Sequence, residues 1–170
     1  NALDANTTGT DNTAIGDNAL GANTDASNNV AVGSGAMLVN TTGQWNVAVG
    51  QAALDANTTA DGNTALGYAA LSAATTGATN VAVGYIALVA NTTGSNNVAV
   101  GYGALDSNTT ASDNTAVGFN ALTANTTGTD NTAVGAHALD ANSASDNTAV
   151  GDNALGANST GAYNTAVGSA

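Results

Sequence analysis

The chain has 170 residues, no Lys or Arg, twelve acidic residues that are all Asp, and a net charge of −12 at pH 7. With no cation to displace counterions from phosphate, nucleic acid is excluded as a partner, and attraction to an anionic membrane surface is excluded on the same ground. Only 7% of residues are charged and Cys and Pro are absent, so there is no disulfide framework, and no apolar run is long enough to span a bilayer.

Read from the N-terminus, one phrase keeps returning, NTAVG or NVAVG. It is opened by Asn12, Asn29, Asn46, Asn63, Asn80, Asn97, Asn114, Asn131, Asn147 and Asn164. The step is 17 residues, except for one of 16 between Asn131 and Asn147. The missing residue falls in NSASD (142–146), which is therefore expected to be a turn that tolerates a deletion. Disordered tracts rich in Asn, Ser, Thr and Gly lack aliphatic residues that keep such regular time. The chain reads as one continuous repeat segment over 1–170 that starts and stops in mid-repeat, and is expected to be part of a longer protein.

Within a unit the opening Asn is position 1. Position 3 is Ala and position 5 Gly in all ten units, and position 4 is always aliphatic. The two-residue alternation and β-branched content predict a strand over positions 1 to 5. Position 8 is Ala and position 9 is Leu or Met, and a second short strand is expected near positions 8 to 11. Positions 12 to 14 read Asn-Thr-Thr with few departures, which is turn chemistry. Helix is disfavoured by the Val, Thr, Asn and Gly content. The sum is an all-β, parallel β-solenoid of about ten coils.

At about 4.8 Å per coil the ten coils make a rod of roughly 48 Å. Equivalent side chains then stack in columns. The expected core consists of the position-4 column (Val83, Val100, Val117) and the position-9 column (Leu88, Leu105, Leu122). The asparagines at positions 1 and 12 are expected to hydrogen-bond from coil to coil. The small residues on the opposite strand face (Ala82, Gly84, Ala99, Gly101, Ala116, Gly118) predict a second backbone packed closely there, and hence an interface between protomers.

No residue pattern predicts catalysis, a cofactor or a metal. His137 is the only histidine and reads as a surface residue. The Asp residues recur mostly once per coil, whereas calcium needs several oxygens. Tyr68, Tyr85, Tyr102 and Phe119 hold position 6 in four consecutive coils and predict an aromatic strip, for packing between protomers or for contact with a ligand such as sugar. Asn40, Asn57, Asn91, Asn108 and Asn125, with Asn6 and Asn158, satisfy the N-x-[ST] acceptor pattern. They are candidate glycan sites, although a turn-forming amide column explains the same residues. Rows of Thr such as Thr41, Thr58, Thr75, Thr92, Thr109 and Thr126 suit an ice-binding surface as an alternative.

The phrase NVAVGxxA, as in Asn80–Ala87 and Asn97–Ala104, resembles the SVAIGxxA head repeat of trimeric autotransporter adhesins. Arrays of NTAVGxxAL…NTTG are similar to those in phage and bacterial fibre proteins. The resemblance covers essentially the whole chain, with Asn in place of the leading Ser and a longer period. It implies a left-handed β-roll that trimerises side by side outside the cell as an adhesive or spacer element. The expected function is thus a structural and adhesive segment of an extracellular, cell-surface or virion fibre. Its main partner is itself, as a trimer or filament, with carbohydrate or a host surface as further candidate partners. An ice-binding solenoid and a phage tail-fibre shaft are the alternatives.

Overall fold

The computed structural model describes residues 1–169. Ten strands of three residues each, from β1 (Thr13–Ile15) to β10 (Thr165–Val167), form one parallel sheet in sequence order. Every strand pairs in register with the next, so that Ala82 lies beside Ala99 and Ala99 beside Ala116. The expected parallel β-solenoid with a repeat of about 17 residues is the observed fold.

The strand is shorter than its motif and covers positions 2 to 4 alone. No second strand forms over positions 8 to 11. Two successive tight turns occupy that stretch, closed by bonds such as Ala36 N–H to the Gly33 carbonyl (3.3 Å) and Asn40 N–H to the Met37 carbonyl (3.3 Å). Between these turns the backbone is left-handed: the position-9 residues have φ between 50° and 57°. A left-handed Leu costs about 1–3 kcal/mol, and burying that side chain returns about 1.5–3 kcal/mol. Leu88, Leu105 and Leu122 are wholly inside, so burial offsets the strain. Coil-to-coil bonding continues through the turns even without a strand, as in Leu88 N–H to the Ala104 carbonyl (2.9 Å) and Ala90 N–H to the Asp106 carbonyl (3.1 Å).

The structure reverses the expected facing of the strand. Ala82, Ala99 and Ala116 are completely buried, in one apolar cluster with the position-9 leucines. Val83, Val100 and Val117 point outward and are only partly covered. The cause is the width of the coil: the leucine and two asparagines of each unit already fill the interior, and only a methyl group fits beneath the strand. The alanines thus meet side chains of the chain's own core rather than a second backbone. Position 5 is small for an equally internal reason. Gly101 has φ +137°, and a Cβ there would lie 2.3 Å from the Gly118 carbonyl oxygen. The six residues expected at a protomer interface are thus explained inside one chain.

The shortened unit is absorbed without loss of register, since β8 (Thr132–Val134) still pairs Thr132 with Thr148 in β9 (Thr148–Val150).

The inverted facing is checked by a pair of substitutions. Ala99→Val overpacks the interior and is expected to cost about 1–3 kcal/mol, whereas Val100→Ala trims a side chain that is only partly buried and is expected to cost less than about 1 kcal/mol. Urea unfolding at low protein concentration measures both.

Candidate functional site

Each coil devotes its polar chemistry to the next coil. The position-1 asparagines from Asn29 to Asn147 are buried. In each, Oδ1 accepts the backbone N–H of the following Asn, as in Asn97 N–H to Asn80 Oδ1 (2.9 Å). From Asn29 to Asn131 its Nδ2 donates across the coil to the position-15 carbonyl, as in Asn97 to Ala111 (2.9 Å), whereas Asn147 Nδ2 donates to Asn142 Oδ1 and the Ser145 carbonyl. The position-12 asparagines meet the same carbonyl from the other side, as in Asn108 Nδ2 to the Ala111 carbonyl (3.0 Å), and donate to the preceding coil through Asn91 Oδ1 (2.8 Å).

This geometry corrects the glycan expectation. Asn40, Asn57, Asn91, Asn108 and Asn125 are fully buried, and each Nδ2 is committed to a carbonyl. A glycan on that nitrogen has no room in the folded coil. In the shortened unit the two amide columns connect, with Asn142 Nδ2 donating to Asn131 Oδ1 (3.4 Å). The N-x-[ST] pattern was visible in the sequence, but so was the rival reading as an amide ladder, and inward facing decides between them.

The position-13 threonines are also occupied. Thr41, Thr58, Thr75, Thr92 and Thr109 each donate Oγ1–H to a carbonyl of the next coil, for instance Thr92 to Thr109 (2.9 Å). The exposed threonine column is the neighbouring one, position 14, from Thr42 through Thr59, Thr76, Thr93 and Thr110 to Thr127.

Tyr68, Tyr85, Tyr102 and Phe119 do form a continuous stack. Their ring centroids are 5.1–5.3 Å apart and adjacent planes lie within 16°. His137 closes the stack edge-on against Phe119 at 5.3 Å, with Nδ1 3.6 Å from Asp140 Oδ2. Stacking along the rod presses the ring faces against one another. The strip therefore offers solvent its ring edges and three phenol groups, and the flat faces within the stack, which would lie on a sugar ring, are covered.

The outer face of the sheet is the surface that sequence reasoning missed. Its position-4 column runs from Ile15 through Leu66 (46% exposed) and Val134 to Val167, beside a position-2 column of Thr and Val. The alternating pattern was legible; which of its two faces pointed out was not. No pocket and no group of three metal-ligating side chains occurs among the described residues. Comparison with protein-family models, curated proteins and solved structures finds no match.

Two outcomes test this account. Ala74 stands where the other described coils carry the position-12 Asn, and its neighbour Asn57 Oδ1 is buried without a partner. Ala74→Asn is expected to stabilise the chain by about 1–3 kcal/mol, read from the urea midpoint. Second, burial pushes the Asp55 carboxyl above its ordinary value of 3.8, against the lowering effect of its own and Ala56's backbone N–H. The folded state then holds this proton more tightly than the unfolded state, so the contribution to stability falls as pH rises from 3.8 upward. Asp55→Asn is expected to raise Tm at pH 7 and to leave it nearly unchanged below pH 3.8, in thermal scans of both proteins.

Proposed function

We propose that this chain is a structural rod within an extracellular fibre, at a cell surface or on a virion, and that it works by associating with copies of itself. The observation that carries the reading is the uninterrupted register of all ten strands, with side chains of every coil committed to the coil beside it. Such a lattice extends by repetition and supports a spacer. The likeness of NVAVGxxA to adhesin head repeats adds an adhesive role toward carbohydrate or a host surface. With the aromatic faces stacked away, adhesion falls to exposed columns rather than to a sugar platform.

The exposed position-14 threonines favour one second reading, an ice-binding surface made of hydroxyl and methyl groups at regular spacing. Thermal hysteresis of the purified chain decides it.

The fibre reading is tested by sedimentation velocity over a range of concentrations. A discrete or growing species heavier than 16.1 kDa, with the friction of an elongated particle, is the expected result. A monomer at every concentration overturns self-association.

A further inference from the structure

The outer sheet face has no occupant within the chain, and three observations point to one. The first is charge. Positions 2 and 4 carry no Asp in any coil, while all twelve Asp stand at positions 6, 10, 14, 16 and 17. Two copies repel one another along every acidic column, and this face is where they can approach. A cationic partner would be drawn to the acidic columns instead.

The second observation is size. Ten coils at about 4.8 Å and five positions at about 3.3 Å give a patch of roughly 48 by 16 Å, counted from position 2 to position 6, a column that is aromatic in its middle and acidic only toward its ends, at Asp17 and Asp152. That approaches the about 800 Å² per partner typical of a stable pair. Its apolar part is the whole of column 4, the valines of column 2 in four coils and the aromatic residues of column 6 in four coils.

The third is shape. Columns 2 and 4 stand about 7 Å apart on one face, with the inward-facing alanines between them. The resulting furrow is lined by branched side chains at the coil spacing. A column with the identical spacing fills it, and a second copy of this chain supplies one.

We propose that two copies pair face to face through positions 2 and 4, with the position-6 aromatic stack bordering the seam. This rests on the self-associating reading above and gives it a surface and a symmetry. A single flat face used by both partners closes as a two-fold dimer, whereas a three-fold ring requires two different faces on each rod.

The test compares three proteins by sedimentation velocity, with circular dichroism as the check on folding. One is the unaltered chain. One carries Val83→Asp, Val100→Asp and Val117→Asp on the face. The third carries Thr93→Asp, Thr110→Asp and Thr127→Asp, the same added charge on the position-14 column. The unaltered chain and the threonine variant are expected to form dimers, and the valine variant to dimerise about a hundredfold more weakly or not at all. A valine variant that dimerises normally overturns the seam and leaves self-association standing. Loss of dimer in both variants overturns it too, because net charge then explains the effect. A monomeric unaltered chain overturns self-association itself.

A second measurement covers a valine variant that does not fold. The chain has no cysteine, and Val100 lies in the sixth of ten strands, near the middle of the rod, so it meets its counterpart whichever way the copies run. A short thiol cross-linker is expected to join Val100→Cys chains and to leave Thr110→Cys chains single. Equal joining of both overturns the seam.

Discussion

The rod depends on a buried carboxamide. In each coil the position-1 Asn joins the backbone of the next coil through Oδ1 and braces its own coil through Nδ2. One side chain thus sets both the distance between coils and the width of the interior. A buried amide atom left unpaired costs about 1–3 kcal/mol, and a hydrogen-bonded chain of amides strengthens its members by mutual polarisation. The Oδ1 is satisfied only if the following coil presents a backbone N–H at the same place, and the Nδ2 only if the coil keeps a fixed width. Period and register are therefore one constraint. Where the chain drops a residue, Asn142 turns to Asn131, and Asn147 N–H still finds Asn131 Oδ1 at 3.0 Å.

From that constraint the rest of the cross-section follows. Two inward amides and one leucine leave the strand a methyl group's depth, so position 3 is Ala and the larger aliphatics are turned outside. Returning the chain within so few residues needs left-handed corners, and they fall on residues ill suited to them, including Ile86 (φ 52°) and Thr79 (φ 58°). A β-branched residue in that region is strained. It persists here because the bonds of the coils above and below over-determine the backbone. Stacking thus stabilises conformations that no single coil would hold.

Much of this was legible in the residues. The 17-residue step, the turn that absorbs the deletion and the coil-to-coil asparagines all come from comparing units within one chain, since equivalent positions share one environment. The aromatic stack was legible for the same reason. Other features were not. A period of two says that Ala99 and Val100 face opposite ways but carries no sign, and the usual guide, that the larger aliphatic is buried, fails in an interior this narrow. Smallness at Ala99 reflects an interior filled by leucine and asparagine side chains, and at Gly101 the backbone of the next coil; residue type alone does not distinguish either from a neighbouring protomer. The second strand failed because Leu carries no signal for left-handed dihedrals, which are imposed by the closed coil. The inward turn of Asn40 and its equivalents decided the glycan question, and the acceptor pattern holds no information about facing.

A coil that must match its neighbours also limits what the surface can do. A pocket or catalytic cluster needs unlike residues converging on one point, and a lattice of identical coils supplies the opposite, like residues repeated along a line. Specificity in such a molecule lies in the contrast between columns. Here the contrast is electrostatic, because twelve Asp stand in a chain without Lys or Arg. Acidic columns keep rods apart at distances up to the screening length, about 8 Å in physiological salt. An uncharged column of branched aliphatics is where that repulsion is weakest and where burial of apolar surface is gained. The same narrow interior that pushes the valines outward therefore supplies the surface on which the proposed pairing of rods rests.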